Sequence, residues 1–286
     1  MISFRQLSPI VLGLVTLFIA ACTTEEPPEI VDEFKTVNIA DSLGLDSGDA
    51  KIFLLPAPLQ VVSALNVQNI PYKPELISSF PKDLEGNKEY QLALNLGINT
   101  IDLGYATVYG DYQTGINYAT KVKELMDLLG IRSALKTSMI KRFEKNSNNI
   151  DSLSSIILQA YSSSHEYFQL NEREGVGLLI LTGCFVEGLY LATGVDQALS
   201  NRQIHGLIAL HKEYSANILL LLHYYRSSND VESLLIKLEA LSLELESLNY
   251  KYNASTGKAT LDMPIREEKL DAIREIIKDL RNSIRI

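Results

Sequence analysis

Tryptophan is absent from the 286 residues, cysteine occurs twice and histidine four times. Two cysteines cannot build a disulfide framework or a paired-cysteine metal site. Positive charge is in deficit: 26 Lys plus Arg face 35 Asp plus Glu, a net charge of −9. That balance argues against a nucleic-acid partner bound by neutralising phosphates. Proline is missing from residue 82 to residue 263, while seven of the nine prolines crowd into residues 27–81. So long a proline-free span is the natural host of uninterrupted helices. Asn-Gly and Asp-Gly hairpin turns are lacking, and no alternating strand runs stand out. What remains, 46 % hydrophobic and 21 % charged, is a globular composition. An all-α fold is expected.

The 3.6-residue period supports a multi-helix bundle. Val231, Leu234, Leu235, Leu238, Leu241, Leu245 and Leu248 form one stripe, with Asp230 before it as the expected N-cap. Leu270, Ile273, Ile276, Ile277, Leu280 and Ile284 form another, with Pro264 expected in the first turn. Further helices are expected over 88–109, 113–129, 133–144, 148–170, 172–193 and 201–226, with a short one at Leu59–Asn66. Gly130 and Gly194 are expected to close two of them, and Asn171 to cap one. The helix at 172–193 is apolar nearly all round, which suits a core or a membrane. Glu187 near its middle favours the core, because a carboxylate in mid-bilayer costs about 2.5–3.5 kcal/mol. Gly175, Gly177, Gly183 and Gly188 would let neighbouring helices come close to this central helix.

The N-terminus carries an address. Arg5 precedes an uncharged apolar run from Pro9 to Ala21, too short to span a bilayer and suited to a signal peptide. It ends in Ile19-Ala-Ala-Cys22, which resembles a bacterial lipobox, so Cys22 is the expected lipidation site. Residues 23–50 hold eight acids and one base, with Pro27 and Pro28, and read as a flexible tether reaching on the order of 30 Å. Thr23 follows the cysteine where an inner-membrane retention signal would place Asp, so outer membrane is the expected location. Residues 1–21 are thus read as signal peptide, 22–50 as lipidated tether and 51–286 as one helical domain.

Catalytic signatures are missing. None of His165, His205, His211 and His223 has an acid three or four residues away, which removes the helical di-metal and zinc patterns. Gly-x-Ser-x-Gly and the P-loop are absent as well. His211 falls on an apolar stripe and reads as a core histidine, and Cys184 as a buried thiol. Two polar features stand inside apolar helices. Asn95, Asn99 and Asp102 share one helix face, with Tyr105 and Tyr109 nearby, and form either a solvated face or an inward one that needs partners. Glu187 has no cation within a turn of its own helix, so a buried Glu187 needs a partner from elsewhere in the fold or from a ligand.

Leu92-Ala-Leu-Asn-Leu-Gly97 with Asp102-Leu-Gly-Tyr-Ala106, and Asn171-Glu-Arg173 with Glu187-Gly-Leu-Tyr-Leu-Ala192, resemble an all-helical lipoprotein family of Bacteroidota. The resemblance runs from about Pro56 to the end of the helix at 193. It implies a class and a location and carries no catalytic residues. The expectation is an outer-membrane-anchored, non-enzymatic lipoprotein that binds a protein partner or stabilises an envelope assembly, held to the membrane by lipid on Cys22 and without metal or cofactor. The alternative is a binding protein for a small molecule, lipid or sugar between helices, through Asn95, Asn99, Asp102, Tyr105 and Glu187. The leucine stripe at 231–248 could equally serve a homodimer.

Overall fold

The computed structural model describes residues 59–77, 84, 86–134, 138, 141–142, 167–168, 171–224, 231–253 and 258–285, with seven α-helices, three short 3-10 turns and one β-hairpin among them. All lie in one of the two units into which the chain divides, Asn38–Ile286. The signal and the tether with Cys22, most of the helices expected over 133–144 and 148–170, His165 and Asp230 lie outside the described residues. The helices are α1 (Leu59–Val67), α2 (Glu89–Val108), α3 (Tyr112–Leu128), α4 (Glu174–Gly194), α5 (Arg202–Tyr224), α6 (Glu232–Glu246) and α7 (Glu267–Ile284). Strands β1 (Tyr250–Asn253) and β2 (Lys258–Leu261) stand between α6 and α7.

Local chemistry sets the helix ends. Asp111 Oδ1 accepts from the Thr114 amide at the start of α3, and Asn201 Oδ1 accepts from the Gln203 amide at the start of α5. Past α3, Gly130 takes φ +66°, so that its amide reaches the Asp127 carbonyl and the Ile131 amide reaches Met126. This left-handed closure favours glycine because it has no Cβ to clash. Gly194 does not play that part: it is still helical, and Val195 is the cap. Asn171 does not cap α4 either, since its amide donates to the Tyr167 carbonyl and Arg173 holds the cap position. Pro264 precedes the last helix instead of lying in its first turn, because α7 begins at Glu267.

Helix α4 is the axis of the bundle and packs against α1, α2, α5 and α7. It is the one described helix long and apolar enough to cross a bilayer, yet 67 % of that apolar stretch is buried inside the fold. Its closest neighbour is α2. A Cβ on Gly97 would collide with the Ile180 carbonyl and lie 2.7 Å from the Cys184 nitrogen. A Cβ on Gly183 would collide with the Leu94 carbonyl oxygen and lie 2.9 Å from its carbon. The two backbones therefore touch without side chains between them, as the glycine content of α4 led one to expect. A second apolar cluster, with Leu92, Leu96, Leu125, Ile131 and Val176, fills the space among α2, α3 and α4.

The leucine stripe of α6 is buried along its length, with Leu238, Leu241 and Leu245 fully enclosed. It packs on α5 and α7, so these leucines are spent inside the bundle. The hairpin departs from the expected all-helical chain. Tyr250 pairs antiparallel with Leu261, and Asn253 with Lys258. Only β2 alternates, with Ala259 and Leu261 buried and Lys258 and Thr260 exposed, and four residues are too few to stand out as a period of two.

If backbone contact between α2 and α4 holds the bundle, Gly183→Ala should cost more than about 3 kcal/mol, because the neighbour is carbonyl backbone that cannot yield. Gly188→Ala in the same helix meets the Val61 side chain at 3.4 Å and His211 Nε2 at 3.8 Å, ordinary contacts, and should stay within about 1 kcal/mol of wild type. Urea midpoints of the two variants decide it; equal midpoints would contradict the crossing.

Candidate functional site

The polar residues of α2 and α4 face inward. Asn95, Asn99, Asp102 and Glu187 are all buried, Asp102 and Glu187 completely. Crossing at the two glycines turns this face of α2 toward α4 and α7, so each polar group must be satisfied from within. The cation that Glu187 needs comes from the last helix. Arg281 Nε donates to Glu187 Oε2 at 2.5 Å, and Arg281 Nη2 donates to Oε1 at 2.7 Å. Both side chains are removed from water, at 4 % and 0 % exposure. The same Nη2 donates to the Leu76 carbonyl at 3.2 Å, and the guanidinium carbon sits 3.9 Å from the centre of the Tyr190 ring. Tyr190 lies one turn beyond Glu187 on α4, so one helix supplies both the carboxylate and the aromatic face.

Asp102 belongs to the same node. It accepts a hydrogen bond from the fully buried Tyr118 hydroxyl of α3, and its charge acts on Arg281. Burial by itself would lower the pKa of the guanidinium. Its hydrogen bonds to Glu187 and the charges of Glu187 and Asp102 outweigh that and hold it above its ordinary value. Burial, followed by the nearby Asp102 and Glu187 charges, pushes the Tyr118 phenol far up. One cation thus gathers α2, α3, α4, α7 and the turn at Pro74–Leu76.

The remaining members of the predicted set are taken up locally. Asn95 donates to the Ile284 carbonyl at 2.9 Å, which ties α2 to the end of α7. Asn99 donates to the Asn95 carbonyl at 2.7 Å, and its own Oδ1 has no hydrogen-bond partner among the described residues. The Tyr105 hydroxyl accepts from the Lys73 amide at 3.0 Å, and its ring packs against Tyr72 and Tyr109 at 5.2 and 4.9 Å. Cys184, on the Gly97 crossing, is buried and its thiol pushed up to about 12. His211 donates to the Leu207 carbonyl of its own helix, and burial brings its pKa down to about 4. No group of His, Cys, Asp and Glu among the described residues could hold a metal ion.

Asp102 and Glu187 are therefore brought together around one guanidinium, Asn95 is tied to the end of α7, Asn99 bonds back to Asn95, and Tyr105 serves a separate tyrosine cluster. Arg281 and Tyr118 were missed. The signal for Arg281 was in the sequence: it stands four residues after Ile277 and three before Ile284, a cation inside an apolar stripe. Chemically the node is a clamp. A carboxylate held by two guanidinium bonds and shut off from water is poorly placed to pass a proton to a substrate.

No family model, curated protein or solved structure matches this chain. The geometry itself must carry the functional reading.

Removing one partner of such a pair strands the other in the interior, at about 3–5 kcal/mol. Glu187→Leu should fall in that range. Arg281→Met should cost more, because it leaves two carboxylates without their cation. The double substitution should cost less than the sum of the singles by at least about 2 kcal/mol. Additive urea midpoints, or a Glu187→Leu midpoint equal to wild type, would contradict the clamp.

Proposed function

We propose that this protein is an outer-membrane-anchored helical lipoprotein that works without catalysis, as a protein-interaction or envelope-assembly module. The observation that carries this reading is the destination of the interior acids: Glu187 and Asp102 share the Arg281 guanidinium. The interior charge is spent on holding helices together, so activity is sought on the outside. The lipobox-like run ending at Cys22, the acidic tether and the resemblance to all-helical Bacteroidota lipoproteins support the address.

The outer side of the α5–α6 pair supports the interaction role. Leu220, Ile236 and Leu243 are 50 %, 59 % and 69 % exposed. His223 and Glu239, 3.4 Å apart, join the Leu220 side of α5 to the Ile236 and Leu243 side of α6. Single exposed aliphatics are ordinary, but three on one face of a helix pair form a surface that suits an apolar helical partner.

Two measurements test the proposal in cells that make the full chain. A clickable fatty acid should label the protein, and Cys22→Ala should abolish the label and release the protein from the membrane fraction. Cross-linking should capture one protein at fixed stoichiometry, and Ile236→Glu with Leu243→Glu should lose it while the urea midpoint stays within about 0.5 kcal/mol of wild type. Absence of label at Cys22 would overturn the anchor. Capture that ignores both substitutions would overturn the interaction surface.

One observation favours a second reading, a small molecule held between helices: the buried Asn99 Oδ1 without a hydrogen-bond partner among the described residues. Native mass spectrometry showing an adduct that Asn99→Leu removes would support it over the first.

A further inference from the structure

The first turns of α5 grip the crossing from β2 to α7 at three points. A Cβ on Gly206 would collide with the Ala259 carbonyl oxygen, so β2 lies directly on the α5 backbone. Arg202 Nη2 donates to the Leu261 carbonyl at 2.9 Å. Between them the His205 ring, 2 % exposed, accepts the Ile265 amide at Nδ1, 3.3 Å away, and has the Leu199 carbonyl 2.9 Å from Nε2.

Only the neutral imidazole with its proton on Nε2 makes both of these bonds. A proton added at Nδ1 replaces the acceptor that faces Ile265 with a second donor, so that bond is lost. The groups bearing on the ring are few. Arg202 on α5 is the charged side chain that acts on it, with the Ala198 and Leu199 carbonyls from the turn before α5 and the Ile265 amide from the segment before α7. Among the described residues, no carboxylate is one of the groups acting on the ring to welcome an imidazolium. A protonated ring would instead sit one turn from the Arg202 guanidinium, in a place closed to water.

We propose that His205 is an acid-sensitive latch, whose protonation frees the segment 262–266 and loosens the β-hairpin on α5 while the bundle around α4 stays folded. Burial holds the ring below the ordinary histidine value of 6.5. The opened form therefore takes up the proton first. The latch is fully closed above that value and weakens as pH falls through the lowered one. The Arg281 clamp lies at the far end of α7, four helical turns from the latch, and contains no histidine. Opening at one end of α7 is thus separate from the tie at the other.

Backbone hydrogen exchange of the full-length protein at pH 7.5 and pH 5.0, corrected for intrinsic rates, tests the latch. Protection at Ile265 and in β2 should be lower at pH 5.0 than at pH 7.5, while the amides of α4 keep theirs. His205→Asn, whose amide oxygen can still accept from Ile265 but does not titrate, should remove the step. Equal protection at both pH values, a step that survives in His205→Asn, or loss of α4 protection in parallel would each overturn the proposal. Should His205→Asn fail to fold, the nitrogen resonances of the wild-type ring decide. Protonation of Nδ1 in step with a shift of the Ile265 amide supports the latch, and protonation without one overturns it.

Discussion

The two buried acids among the described residues, Glu187 and Asp102, are arranged around one guanidinium. Arg281 is bound by both oxygens of Glu187, faces the Tyr190 ring, reaches the Leu76 carbonyl and feels the charge of Asp102. A buried charge is tolerated only where such partners are complete, so the position of α7 on the bundle is set by where they converge. Apolar packing through Leu270, Ile273, Ile277 and Leu280 would fix α7 only loosely along its own axis. The bidentate pair allows one register, and Asn95 on the Ile284 carbonyl reinforces it.

That node depends in turn on the α2–α4 crossing. Contact at Gly97 and Gly183 brings the helices so close that Asn95, Asn99 and Asp102 lose access to water. The opposite arrangement, with the polar stripe outward, would need a bulkier crossing and a different rotation of α2. Small residues on two helices thus decide the environment of three polar residues that lie two to five positions from Gly97. On this account the carboxylates belong to the architecture.

Much of the fold was legible from apolar spacing. The stripe from Val231 to Leu248 and the apolar character of residues 172–193 depend only on local periodicity, and both lie where that periodicity puts them. The hairpin was hidden because four-residue strands carry almost no periodic signal and are held by α5, a tertiary contact. The site was half legible. Asp102 and Glu187 stood out as acids among apolar neighbours, but spacing within one helix cannot tell which distant residue answers them, and Arg281 lies 94 positions from Glu187. Arg281 could have been matched to them by one question: which apolar stripe contains a cation. Asn171 and Gly194 misled for a different reason. Good capping residues have that role only when the chain turns at them, and here the helix runs through Gly194 and ends at Val195.

The central claim is that Arg281 is sealed against Glu187 in the folded state. Hydrogen exchange at the Arg281 Nε–H, followed by side-chain nitrogen NMR, measures this directly. The account predicts that this proton exchanges as slowly as the best-protected backbone amides of α4, because it is released only when the bundle opens as a whole. Exchange at the rate of a solvent-exposed arginine, with α4 still protected, would show that the pair is not the constraint on which the fold depends.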